Sequence, residues 1–128
     1  MTKPLSLRVA ADAKALAPMR HALRFWLTEL GVDQLSDVVL AVDEAVANAI
    51  EHAGLATTDL IAVEAHVVGN TLRVAICDQG IWKEPTVNDT RGRGLLIMNA
   101  VTDSVVIEHR DDDTRVVMSR NLRQTGER

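Results

Sequence analysis

The chain is poor in aromatic residues: among its 128 positions there is one Phe, two Trp and no Tyr. Phe25, Trp26 and Trp82 are therefore the whole aromatic complement, and the core has to be built from Val, Leu, Ile and Ala. No aromatic platform exists on which single-stranded bases could stack. Basic residues are not in excess either. The formal charge is −4, which argues against a nucleic-acid binder, since such domains carry a basic patch. Cys77 is the single cysteine, so no intrachain disulfide can form and a Cys-based metal site is not credible. The histidines His21, His52, His66 and His109 are scattered without ligand spacing. Nothing approaches the roughly 20 consecutive apolar residues that span a bilayer. The N-terminus, MTKPLSLRVAAD, lacks the apolar run of a signal peptide. The expectation is a soluble, cytoplasmic single domain over 1–128, free of direct nucleic-acid or membrane contact, with a frayed polar tail at 123–128.

What the chain does contain is a strongly patterned centre, Asp37–Gly54 (DVVLAVDEAVANAIEHAG). On a helix, at about 100° per residue, Val38, Val39, Val42, Val46, Ala49 and Ile50 fall in one arc. Asp37, Glu44, Asn48 and Glu51 form a narrow stripe on the other side, with His52 at its edge. Glu44 and Asn48 stand four apart, so their side chains lie one turn from each other and can meet one ligand together. The bland alternative is the wet side of an amphipathic helix. Against it, Leu40, Ala41, Ala45 and Ala47 hem the stripe in, and no basic residue occurs between Arg24 and Arg73. A carboxylate beside a carboxamide, ringed by small apolar residues, suits a pocket floor.

Around this helix the pattern predicts a strand at Leu5–Ala10, then a helix capped by Asp12 and running to about Leu30, with a break or restart at Pro18 and a stop at Gly31. Ser36 or Asp37 is expected to cap the central helix and Gly54 to end it. Leu60–Val68 and Thr71–Cys77 read as strands joined by a Gly69-Asn70 hairpin turn. An irregular segment, Ile81–Arg93, follows, and then a short apolar helix, Gly94–Val101. Two closing strands, Asp103–His109 and Thr114–Leu122, are joined by the acidic turn Asp111-Asp112-Asp113. Hairpin-linked strands mixed with helices predict an α+β two-layer sandwich, a mixed or antiparallel sheet with helices on one face.

Three places can carry chemistry: Glu44 with Asn48, Asp78-Gln-Gly80 at a strand end, and Arg91-Gly92-Arg93-Gly94 at a helix start. Singly each is weak, because Asp-x-Gly after a strand is usually a turn and Gly-x-Gly before a helix is common. Gly92-Arg93-Gly94 also lacks the preceding strand and third glycine of a dinucleotide fold. Together they fit one ligand. Glycines before a helix admit phosphates to backbone N–H groups, and Arg91 and Arg93 add charge. Asn48 offers a neutral oxygen to Mg²⁺. Glu44 can accept a proton from an attacking hydroxyl. Asp78 is an acceptor for an exocyclic amine.

In this combination Glu44-x-x-x-Asn48, Asp78-x-Gly80 and Gly92-x-Gly94-Leu95 resemble the N, G1 and G2 boxes of the GHKL ATPases, a superfamily that includes gyrase, MutL-type proteins and histidine kinases. The compact DEAVANAIEHAG segment, the GRGLLIMNAVTDSV run and the late strand from Thr114 look most like the bacterial anti-sigma-factor serine kinases. The likeness covers the chain from about Leu5 to Leu122. It is also similar to ATPase-like domains attached to phosphatase and sensor domains in actinobacterial regulators, so an excised module fits as well.

The resemblance implies a Bergerat ATP-binding fold of histidine-kinase-like type, with Mg·ATP between the helices and a lid. By position, Glu44 would be the general base and Asn48 the Mg²⁺ ligand. Asp78 would bind the adenine amino group with help from Thr114 through water, and Gly92 and Gly94 would cradle phosphates. Arg20 matches a position that touches partner proteins. The implied partners are a sigma factor, which such proteins sequester, and a STAS-fold anti-anti-sigma protein, which they phosphorylate on serine; homodimers are common. The chain departs from the pattern at Trp82, where a second glycine is frequent, and in its short lid; a ring there is expected to stiffen the lid or pack over the base. The alternative expectation is a module that sequesters its partner, with or without nucleotide, and transfers no phosphate. A histidine-kinase catalytic half fits less well, because the lid lacks the phenylalanine such domains often carry.

Overall fold

The computed structural model describes residues 3–31, 35–52, 56, 58–78, 102–109 and 113–122. The expected strand β1, Leu5–Ala10, forms with those bounds. Asp12 then caps as anticipated, its carboxylate accepting from the Lys14 backbone N–H at 3.0 Å, but what it caps is a single 3-10 turn, Ala13–Ala15. The α-helix proper, α1, runs Leu16–Leu30. Pro18 falls within its first turn, where a backbone N–H has no intrahelical partner to lose, so it does not break the helix. Gly31 ends it at φ 73°, in the left-handed region that a residue with a Cβ rarely adopts. Met19, Leu23, Trp26 and Leu27 are buried along one stripe. The Trp26 indole donates to the Lys3 carbonyl at 2.8 Å, tying the start of the chain to the helix.

Helix α2 spans Leu35–His52, so it begins one residue before Ser36 and two before Asp37, the expected caps. Ser36 and Asp37 lie inside it and cap nothing. Asp37 instead serves as the acid of the first turn, favoured there by the helix dipole, and meets Arg120 at 3.4 Å. Gly54, the expected terminator, lies outside the described residues.

Strands β2 (Leu60–Val68), β3 (Thr71–Asp78), β4 (Ser104–His109) and β5 (Thr114–Asn121) complete one five-stranded sheet in the order β1-β2-β3-β5-β4. Every neighbouring pair is antiparallel, which settles the mixed-or-antiparallel expectation. Gly69, at φ 59°, makes the two-residue β2–β3 turn possible, while Asn70 keeps a negative φ.

Alternation assigns the faces. Val9, Ile61, Val63, Ala65, Leu72, Val74, Ile76, Val116 and Met118 are buried and form one core with the helix stripes. The other face carries the exposed residues Arg8, Glu64, His66, Arg73 and Glu108. Among the described residues, no helix is long and apolar enough to cross a membrane.

Leu27 is fully buried and Phe25 is 70% exposed. Leu27→Ala is therefore expected to lower unfolding free energy by about 2–5 kcal/mol. Phe25→Ala, on the same helix, should stay within about 0.5 kcal/mol of wild type. Urea denaturation followed by circular dichroism measures both.

Candidate functional site

The polar residues buried in the described part of the chain are three: Asn48, Asp78 and Thr114. Each was picked out from the sequence as a site residue, and the fold buries all three while the remaining buried set is apolar. Desolvating a polar group costs about 1–3 kcal/mol unless it is compensated, so an all-apolar interior would be the more stable choice.

Asn48 is only 5% exposed, at the margin of the buried arc of α2, next to Ala45 and Ala49, which are fully buried. Its side-chain Nδ2 has no hydrogen-bond partner among the described residues. The two ends of a carboxamide are interchangeable by a flip, so the same position can present either a donor or an oxygen. Glu44, one turn earlier, is half-buried. Burial raises its carboxyl pKa above 4.5, and the negative charges of Asp43 and Glu51 on the same helix push in the same direction. The apolar rim expected around this strip is present at Ala41 and Ala45, whereas Leu40 is 42% exposed and forms no wall.

Asp78 ends β3 on the helix-facing side, because it continues the buried alternation of Leu72, Val74 and Ile76. The register sets it opposite Thr114, the first residue of β5. The two are thus brought together across 36 positions of sequence by the insertion of β5 between β3 and β4. Cys77, by the same alternation, turns to the other face, where its thiol donates to Asp113 Oδ2 at 3.6 Å. A hard cation takes oxygen ligands, and the Asn48 carboxamide fits that chemistry when flipped so that Oδ1 takes the place of the unmatched Nδ2.

Gly80, Arg91, Gly92, Arg93, Gly94 and Leu95 lie outside the described residues, as do Trp82, the lid segment and the expected helix Gly94–Val101. Arg20, expected as a partner contact, is on α1 with its guanidinium 2.9 Å from Asp43 Oδ1. Asp43 was not singled out from the sequence. It sits on the flank of α2 between the apolar arc and the polar stripe, and only the placement of α1 reveals its partner.

The fold recurs in known proteins. The profile of the histidine kinase-like ATPase domain matches residues 9–120. An anti-sigma F factor of Clostridium kluyveri is 29% identical over 103 residues, covering 70% of this chain and 72% of that protein. The crystal structure of the RsbU and RsbW domains of Rv1364c from Mycobacterium tuberculosis superposes with a TM-score of 0.77 at 30% identity. That match covers 94% of this chain and 33% of the other, so the present chain spans about a third of it. The histidine kinase AdeS of Acinetobacter baumannii shares the fold at 13% identity, with a TM-score of 0.58 over 94% of this chain and 68% of that one. With an antiparallel sheet backed by α1 and α2, and a family match over nearly its whole length, the chain belongs to the histidine kinase-like ATPase domain family.

Proposed function

We propose that this domain is an ATP-dependent protein serine kinase of the anti-sigma-factor type, acting in the cytoplasm. It would bind a sigma factor and phosphorylate a STAS-fold anti-anti-sigma protein, as a homodimer. The observation that carries this reading is the burial of Asn48, Asp78 and Thr114 in an otherwise apolar interior. The likeness to an anti-sigma F factor supports the choice of partner class.

In this reading Asp78 accepts a hydrogen bond from the adenine amino group, with Thr114 beside it on the next strand. Asn48 turns its oxygen to Mg²⁺, which when bound neutralises phosphate charge. Glu44 is the general base. As the serine oxygen bonds to the γ-phosphorus, its proton passes to a Glu44 carboxylate oxygen, the bond from the γ-phosphorus to the bridging oxygen breaks, and ADP leaves. Phosphoryl transfer depends on positioning and charge neutralisation more than on covalent help. A base works best with a pKa near the operating pH, and the burial and neighbouring charges that raise Glu44 move it in that direction.

Glu44→Gln is expected to cut transfer to a cognate partner by about 10²–10⁴-fold while leaving binding of a labelled ATP analogue close to wild type. Full transfer by that variant removes Glu44 as the base. Binding without transfer by the wild-type chain, to any STAS-type partner, supports the sequestering module instead. Asn48→Ala should weaken ATP binding when Mg²⁺ is present, and EDTA should bring the wild type down to the level of that variant. Asn48→Asp is the poorer probe, since a carboxylate still holds the cation.

The same carboxylate sets a stability prediction. Because its pKa is raised in the folded state, the native protein binds that proton more tightly than the unfolded chain does. Stability from this group is complete below the unfolded pKa and is lost as pH rises through the folded one. Glu44→Gln should accordingly have a higher melting temperature than wild type at pH 7, with the gap narrowing as pH falls into the carboxylate range. Thermal melts at a series of pH values measure it.

A further inference from the structure

Arg20 and Asp43 form the cross-helix ion pair described above, from the second turn of α1 to the residue immediately before Glu44. The side chains are 39% and 23% exposed, respectively. A pair this exposed contributes about 0–1 kcal/mol at most. It is not what packs α1 on α2, which Leu23, Leu27, Val42 and Val46 accomplish by burial. Its significance lies in its position.

We propose that Arg20 is a positioning residue for Glu44, acting through Asp43: it holds and neutralises the carboxylate that adjoins the base. The proposal rests on Glu44 being the base. Asp43 and Glu51 are the two charges on α2 that bear on Glu44. α1 carries Arg20, His21 and Arg24; His21 and Arg24 are exposed, and Arg20 is the one whose guanidinium pairs with Asp43, the neighbour of Glu44. On the helix side of the sheet stand Asp78, at the buried end of β3, and Arg120, which meets Asp37 near the start of α2. Of the two acids bearing on Glu44, Asp43 therefore has a cation 2.9 Å away. Releasing it adds an uncompensated negative charge beside Glu44, holding the proton on the base to higher pH.

The test is a carboxyl ¹³C NMR titration of the full chain labelled at glutamate, with the Glu44 signal assigned by its loss in Glu44→Gln. Arg20→Ala should raise the Glu44 midpoint by about half a pH unit, the scale of one extra charge near a protein surface. Asp43→Asn should lower it, Arg20→Ala should have no further effect in the Asp43→Asn background, and Arg20→Lys should keep the wild-type value. The acid limb of the transfer rate should shift with the midpoint in each variant. A midpoint that ignores Arg20→Ala, or that moves equally with and without Asp43, overturns the proposal. The titration needs neither nucleotide nor partner, so it separates the two claims. If the midpoints move as stated while Glu44→Gln keeps full transfer, the base assignment falls and the action of Arg20 on Glu44 stands.

Discussion

Everything in this domain depends on the contact between α2 and the helix-facing side of the antiparallel sheet. Val38, Val39, Val42, Val46 and Ala49 bind the helix to Leu72, Val74, Ile76 and Met118 through apolar burial. The small residues Ala41 and Ala45 keep that contact close. Because the helix is fixed by its apolar arc, the polar residues at the arc's margin have no freedom to choose their surroundings. Asn48 goes under with its neighbours and Glu44 stays half out. The hydrophobic effect thus sets the electrostatics of the site, since the depth of each polar group follows from its angular distance from the valine stripe.

This arrangement gives two acidic groups different surroundings from similar sequence contexts. Asp78 closes a strand and is drawn in by the alternation of its own strand. Glu44 lies on a helix that carries Asp43 before it and Glu51 two turns on. A buried acceptor suits fixed recognition of a donor on a flat ring. A half-exposed carboxylate among other carboxylates suits taking up a proton. The distinction comes from placement, as the two side chains differ by one methylene.

Much of this was legible in the sequence because it rests on short-range periodicity. The alternation in LSLRVA and the Gly69-Asn70 turn signal after LIAVEAHVV gave β1 and β2 with their observed limits, and the in–out alternation of β3 carried forward to Asp78 implies that its side chain faces the helices. Helical spacing separated Asn48 and Glu44 from the valine arc. The start of α2 was misread because Ser36 and Asp37 are both good capping residues. Nothing local tells that Leu35 is already helical, or that Asp37 has Arg120 to meet from a strand formed 83 residues later. The Arg20–Asp43 pair was out of reach for the same reason, since it exists only once α1 lies along α2. The two Asp-based pairs are tertiary facts, and no window of sequence contains them.

The strand order has a consequence for how the molecule comes into being. β3 and β4 are never neighbours; the strand that separates them, β5, is the last element of the described fold. During synthesis the chain emerges from its N-terminus, so one edge of β3 lacks its native neighbour until β5 has left the ribosome. Thr114 arrives with that strand, opposite an aspartate made long before. A nascent chain that stops short of it has the α2 carboxylate and carboxamide but only half of the Asp78–Thr114 pair. The juxtaposition of Asp78 and Thr114 is thereby completed only once β5 has been made.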